Sequence, residues 1–387
     1  MNENFCKSIS DAVASKKVVI YGAGYIGAMM LNIMDILGKE VLFFLDQSPA
    51  KQNSGFCGYK VKAPEDILYE DISQIIVVIA GSDMGKVEME NMLIGFGLKK
   101  DEEFIVGANM RTDPFDSLDP FLGYSRSVDK NGFKVMGSYN EKYKSIICLG
   151  GSTTDYAMFG IKSWPEFLFE LFQDNNVHLN ILNGGVGGYT SSQELLKLIR
   201  DGLELSPSLV ISYSGINDFM EKTPVLGHKY LYEIWDMMKP VVTESGIKAR
   251  GMHHETLTVS YGTKSNLNVA EYWYRNEIMM CNICRGLNIP FLGILQPTIL
   301  SKGIDTRSLF EQRMRQTFAT NGYTTEQIKK ARQLVNEGCE RNIVDFTSLF
   351  DQYENVFADA CHVFEQGNKI IAEAIFQTIK EKHLLDI

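Results

Sequence analysis

The chain has 387 residues, a net charge of −10, 45% hydrophobic residues and 22% charged residues. That length exceeds one ordinary hydrophobic core and predicts two domains. The acidic balance argues against nucleic acid or anionic membrane as partners, since both need positive surface. No apolar run reaches the roughly 18 residues of a membrane helix, and no basic stretch followed by an apolar one opens the chain, which predicts a cytoplasmic protein without a secretory signal.

In chain order, the stretch 16–49, "KKVVIYGAGYIGAMMLNIMDILGKEVLFFLDQSP", reads as strand, glycine turn, helix, strand. Gly22, Gly24 and Gly27 form G-x-G-x-x-G directly after the first strand, and Asp46 ends the second, where an acid would meet a ribose hydroxyl. In such a turn the first glycine permits the bend, the second lets backbone approach a phosphate, and the third lets the helix sit against the strand. The helix N-terminus then offers free N–H groups to an anion. "QIIVVIAGS" (74–82) predicts a third strand and "DEEFIV" (101–106) a fourth. The unit ends near residue 107 with no second mononucleotide-binding half and no hydride-transfer constellation. It resembles the small Rossmann-like domains of bacterial polysaccharide-modifying proteins, in which a stretch like "GYKVKAPEDI" (58–67) also recurs. That resemblance implies NAD, nucleotide or nucleotide-sugar binding, or a purely structural role. Residues 108–143, rich in Asp, Ser, Gly and aromatics, read as an irregular linker that wraps the domain 144–387.

The second half contains four separated pieces. "SIICLGGSTTDYAMFG" (145–160) is an apolar strand running into two glycines and Ser152. "LNILNGGVGGYTSSQELLKLI" (179–199) is a strand, a glycine-dense turn and a helix capped by Thr190 or Ser191. "LVISYSGINDFM" (209–220) is a strand ending in Gly215, Asn217 and Asp218. "VFADACHVFEQGNKIIAEAIFQTI" (356–379) places Asp359 and His362 three apart ahead of a terminal amphipathic helix. Singly, each piece has an ordinary reading as loop chemistry or a cap. Together, strand ends of an open parallel sheet converge on one crevice, so Ser152, the glycine turn and Asn217 become neighbours.

The remaining candidates read as structure. The seven cysteines, at 6, 57, 148, 281, 284, 339 and 361, have no framework spacing and suit reduced thiols. Cys281 and Cys284 make one C-x-x-C on an amphipathic helix, without a second pair, and read as core thiols rather than a zinc site. Trp164 and Trp273 read as core. His253 and His254 fall in an insertion, and adjacent strand residues face opposite ways, which disfavours a metal pair. Gln296 ends an apolar strand and points toward the same crevice, and 299–323 is the stretch expected to cover it as a lid.

The four pieces, in this order and over residues 112–387, resemble the blocks of the SGNH, or GDSL-like, hydrolase family. Gly150-Gly151-Ser152-Thr153-Thr154 stands for the G-D-S block with glycine at the aspartate, Gly188 for the second-block glycine, Gly215-Ile216-Asn217-Asp218 for G-x-N-D, and Asp359-Ala360-Cys361-His362 for D-x-x-H. The resemblance implies a three-layer α/β/α domain with a parallel sheet behind the small Rossmann-like domain of residues 1–107. It implies Ser152 as nucleophile, His362 as base and Asp359 as its orienting acid. The N–H groups of Ser152 and Gly188 and the Asn217 amide would form an oxyanion hole. The implied substrate is a small or carbohydrate acyl ester, with neither metal nor cofactor required. Esterase and acyltransferase use the same residues and stay open, as do homo-oligomerisation and a nucleotide-sugar- or NAD-binding scaffold, or an oxidoreductase, with a dormant hydrolase half.

Overall fold

Two sheets organise the computed structural model, which describes residues 13, 16–81, 83–107, 132–155, 162–221, 267–303, 308–318, 322–338, 340 and 342–385. The first is built from β1 (Lys17–Tyr21), β2 (Val41–Leu45), β3 (Val61–Lys62), β4 (Ile75–Ile79) and β5 (Phe104–Val106) in the order β3-β2-β1-β4-β5. Every pairing is parallel. Its strands are nearly continuous apolar runs because a parallel sheet is covered on both faces. Val18, Ile20, Phe44, Ile76 and Val78 pack beneath α1 (Tyr25–Ile36), among Met29, Met30 and Ile33. The alternate residues Val19, Tyr21, Val77 and Ile79 face α2 (Asp83–Gly95) through Leu93 and Met89. Strand β3, inside the "GYKVK" stretch, spans two residues, too few to leave a period in the sequence.

The second sheet has the order β11-β10-β9-β7-β8-β6. It comprises β6 (Lys134–Met136), β7 (Lys144–Gly150), β8 (Leu179–Asn183), β9 (Leu209–Ser214), β10 (Phe291–Leu295) and β11 (Ile343–Asp345). Five strands are parallel, and β6 pairs antiparallel with β8. This strand lies in the stretch read from the sequence as irregular. Three residues with one edge neighbour carry little periodic signal, and neighbouring Phe133 is fully buried in the core.

Helices cover both faces. On one side, α3 (Trp164–Asp174) meets the C-terminal helix, with the Phe172 and Phe376 rings 5.1 Å apart. On the other, α4 (Ser191–Lys197) packs against α5 (Val269–Gly286), whose Met280, Cys281 and Cys284 enter a core with Ile147, Leu149 and Val210. Burial pushes both of these thiols up to about 12, so the C-x-x-C is a pair of buried, neutral core thiols. Of three further helices, α7 (Gly322–Glu337) lies against α5, with Ala270 N donating to Gln327 Oε1 at 3.4 Å, α8 (Glu365–Glu381) is the C-terminal helix that meets α3, and α6 (Leu309–Phe318) adds Phe310 and Met314 to the core. The stretch expected as a lid differs from that reading. Ile299, Leu300, Phe310 and Met314 are buried in the core, and Lys302 forms a buried ion pair with Glu311 at 2.7 Å. Residues 304–307 and 319–321, like His253 and His254, lie outside the described residues. Trp164 and Trp273 are fully buried, as expected. No described helix is long and apolar enough to cross a membrane.

Candidate active site

The two glycines ahead of Ser152 stand at the carboxyl end of β7, where space is short. A Cβ on Gly150 would stand 2.6 Å from the Tyr213 carbonyl of the neighbouring strand β9. A Cβ on Gly151 would stand 2.5 Å from the Asn217 side-chain nitrogen. The second glycine therefore lets two strand-end loops approach each other. Ser152 then opens a single helical turn, Ser152–Asp155. That turn is held from the side, since the Asn183 amide at the end of β8 donates to the Thr154 carbonyl at 2.6 Å and the Asp155 carbonyl at 3.0 Å. Trp164 Nε1 donates to Thr154 Oγ1 at 3.2 Å.

Ser152 Oγ lies 2.7 Å from His362 Nε2, and His362 Nδ1 lies 2.7 Å from Asp359 Oδ2. A carboxylate only accepts, so Nδ1 carries the proton and Nε2 is the acceptor for the serine hydroxyl. Asp359 is fully buried, and its Oδ1 accepts from the backbone N–H groups of Cys361 at 2.8 Å and His362 at 2.7 Å. These bonds fix the carboxylate plane that aims Oδ2 at the imidazole. A tight reverse turn closes D-x-x-H, with Ala358 N donating to the His362 carbonyl at 2.9 Å and Phe357 bridging Val363. Burial disfavours the imidazolium, but the Asp359 charge and hydrogen bond outweigh it and hold His362 well above its ordinary value.

Gly188 sits at φ +81°, a region glycine enters without strain. The N–H groups of Ser152 and Gly188 donate to no group among the described residues. Asn217 follows β9, and its Nδ2 donates to the Tyr189 carbonyl at 2.8 Å, which binds it to the Gly188 turn. A second tie runs alongside. Asp218 accepts from Ser191 N at 2.9 Å and Ser191 Oγ at 2.7 Å, and burial raises its carboxyl to about 7. The helix cap is Thr190, whose N–H and hydroxyl both donate to Gln193 Oε1.

Sequence reading missed a buried polar layer under these loops. Ser212 Oγ lies 2.8 Å from both Glu194 Oε2 and Glu277 Oε1, and Ser214 Oγ lies 3.2 Å from Glu277 Oε1. Burial raises both carboxyls, and repulsion adds to it, from Glu277 and Asp218 at Glu194 and from Asp218 at Glu277. The signal was present as two serines at period two in an otherwise apolar strand, which demand polar partners on that face. Gln296 is buried at the end of β10 and is not part of the Ser152–His362–Asp359 hydrogen-bond chain.

The glycine turn of the first sheet fits its expected geometry. A Cβ on Gly22 or Gly27 would collide with backbone, at the Ala80 and Gly22 carbonyls respectively, whereas one on Gly24 meets nothing within 4 Å. Asp46 Oδ2 accepts from Ala23 N at 2.9 Å and Lys51 Nζ at 3.0 Å, and Oδ1 accepts from Ser48 N at 2.9 Å. Burial opposes its charge, but these donors hold it below the usual carboxylate range. With about four acceptor positions on a carboxylate, one is left for a ribose hydroxyl. The residues therefore fit the phosphate of a nucleotide at Gly24 and, less generously, its ribose at Asp46.

No family model matches the chain, and no curated protein matches it. Among solved structures it is similar to the acetyl xylan esterase AlAXEase, at 15% identity over 61% of this chain and 99% of that one, TM-score 0.37. It is similar to Axe2, an acetylxylan esterase from Geobacillus stearothermophilus, at 16% identity over 63% and 95%, TM-score 0.37. It is also similar to a GDSL-like lipase from Bacteroides thetaiotaomicron, at 17% identity over 64% and 92%, TM-score 0.35.

Proposed function

We propose that the chain is an SGNH-type serine hydrolase that cleaves or transfers a small acyl group, acetyl above all, on a carbohydrate hydroxyl. The observation that carries this reading is the unbroken hydrogen-bond chain from Ser152 Oγ through His362 to buried Asp359. The Ser152 hydroxyl passes its proton to Nε2 as its oxygen attacks the ester carbonyl. The resulting oxyanion is received by the N–H groups of Ser152 and Gly188 and by the second amide hydrogen of Asn217, donors already held in place before charge develops. His362 then returns the proton to the leaving alcohol, and water or a second hydroxyl resolves the acyl-serine by the same steps reversed. The carbohydrate class rests on the family resemblance and on the type of domain that precedes this one.

A panel of p-nitrophenyl esters and labelling by a fluorophosphonate probe test this reading. Cleavage of the short-chain esters, with the label on Ser152, is the expected result. An unlabelled Ser152 in a chain that cleaves none of them would overturn it. Asn217→Ala is expected to cost about 100- to 1,000-fold in kcat, with KM little changed, because the amide acts on charge that exists only in the transition state. A loss confined to KM would remove Asn217 from that role.

A second reading concerns the first domain and rests on the open space at Gly24. We infer that this turn takes the phosphate of a nucleotide or nucleotide sugar, with NAD in the same chemical class. Gly24→Glu is expected to leave the fold intact, since a Cβ there meets nothing within 4 Å, and sets a negative charge where the phosphate would lie. Isothermal titration with a uridine diphosphate sugar and with NAD is expected to show binding that Gly24→Glu abolishes. No heat from either ligand in the unmodified chain would refute the assignment.

A further inference from the structure

The turn that carries the base also carries a thiol the reaction does not use. Cys361 Sγ lies 3.7 Å from His362 Nδ1. That nitrogen, Cys361 Sγ and an Asp359 oxygen all fall within 4.8 Å of one another. Adjacent residues seldom aim their side chains at one point; here the reverse turn at 358–362 brings both to the same side. Asp359 is buried, while Cys361 and His362 are half-buried, so the cluster is approached from their side.

We propose that Asp359, Cys361 and His362 form a binding site for a thiophilic divalent cation of the zinc class. Zinc bonds of about 2.3 Å to sulfur and 2.0–2.1 Å to nitrogen, arranged tetrahedrally, put sulfur and nitrogen ligands about 3.6 Å apart. The thiol and imidazole already stand at that separation. The carboxylate oxygen needs to withdraw from Nδ1 by about 0.6 Å, since it now meets the metal instead of a proton. Three protein ligands and one open position for water complete the set. Sulfur selects the metal: hard ions such as magnesium and calcium prefer oxygen, whereas zinc accepts this mixed set.

The chemistry of occupation is a displacement without redox change. The thiol proton leaves to solvent, and sulfur gives an electron pair to the metal. The Nδ1 lone pair does the same, so the single proton of the neutral ring resides on Nε2. An Nε2 that holds a proton cannot take one from Ser152. Resting on the proposed hydrolase reading, occupation therefore switches off ester cleavage, and a chelator restores it.

The test separates the site from that reading. Cobalt(II) is titrated into full-length Ser152→Ala, which needs no turnover, and the near-ultraviolet thiolate-to-cobalt charge-transfer band is followed. A band saturating at one cobalt per chain, and missing when Cys361→Ala is added, is the expected result. No band, or one that survives Cys361→Ala and so belongs to another thiol, overturns the site. Zinc is then added to the unmodified chain during ester cleavage, with each rate referred to the same protein in chelator. A fall of at least tenfold is expected, with Cys361→Ala at least tenfold less sensitive. A cobalt band in a chain whose cleavage zinc leaves untouched overturns the switch. A band in a chain that cleaves no ester supports the site and sinks the hydrolase reading alone.

Discussion

Ser152→Ala is expected to lower kcat for ester cleavage by about a millionfold, to the residual rate that binding and oxyanion donors supply on their own. The size follows from the role, because without Oγ no acyl-enzyme forms and water must attack directly. The fold is expected to persist. Ser152 Oγ makes one side-chain bond, to His362, and the turn it opens is held by Asn183 and Trp164 instead. Far-ultraviolet circular dichroism and the thermal midpoint should therefore match the unmodified chain while turnover vanishes. KM is a poor reporter here, and single-turnover measurement of acyl-enzyme formation is the direct one. Ester cleavage at the unmodified rate in Ser152→Ala would dissolve the proposed function at its centre.

Much of this was legible before any coordinates. A buried parallel strand announces itself as an apolar run, which is why β1, β2, β4, β7, β8 and β9 fell where the sequence put them. Glycines at strand ends mark places where backbone must come close, as Gly151 does against Asn217. What the sequence could not carry were interactions made by backbone and by distant pairs. The Tyr189 carbonyl that pins Asn217 has no side-chain signature. The Glu194–Ser212–Glu277 cluster joins three elements whose meeting depends on helix packing. The D-x-x-H spacing fits a helix and a reverse turn equally, and only the bridge from Phe357 to Val363 selects the turn. That turn also touches the helix over the first sheet, because Asn32 on α1 donates to the Phe357 carbonyl at 3.5 Å and Ala28 joins the core around the second sheet. A contact across more than three hundred residues leaves no local trace.

The second large effect is expected from Asp359→Asn, about 10⁴-fold in kcat with the serine and histidine still in place. The amide keeps the shape of the carboxylate, and its oxygen still accepts from the backbone N–H groups that Oδ1 holds now. Its nitrogen then falls opposite His362 Nδ1. A donor facing Nδ1 demands a lone pair there, and the ring proton moves to Nε2, where it faces Ser152 and blocks proton transfer. The substitution also removes the charge that holds the imidazolium well above its ordinary value. The sign of the pH effect follows. Catalysis needs neutral His362, so kcat/KM of the unmodified chain rises through an apparent pKa above the ordinary 6.5 for histidine. In Asp359→Asn the residual activity should reach its plateau at lower pH, because the Asp359 charge no longer opposes burial, which favours the neutral form. A pH–rate profile on both proteins reads the two effects separately, height from the tautomer and midpoint from the lost charge. A fall in height with an unmoved midpoint would mean that Asp359 orients the ring without setting its charge.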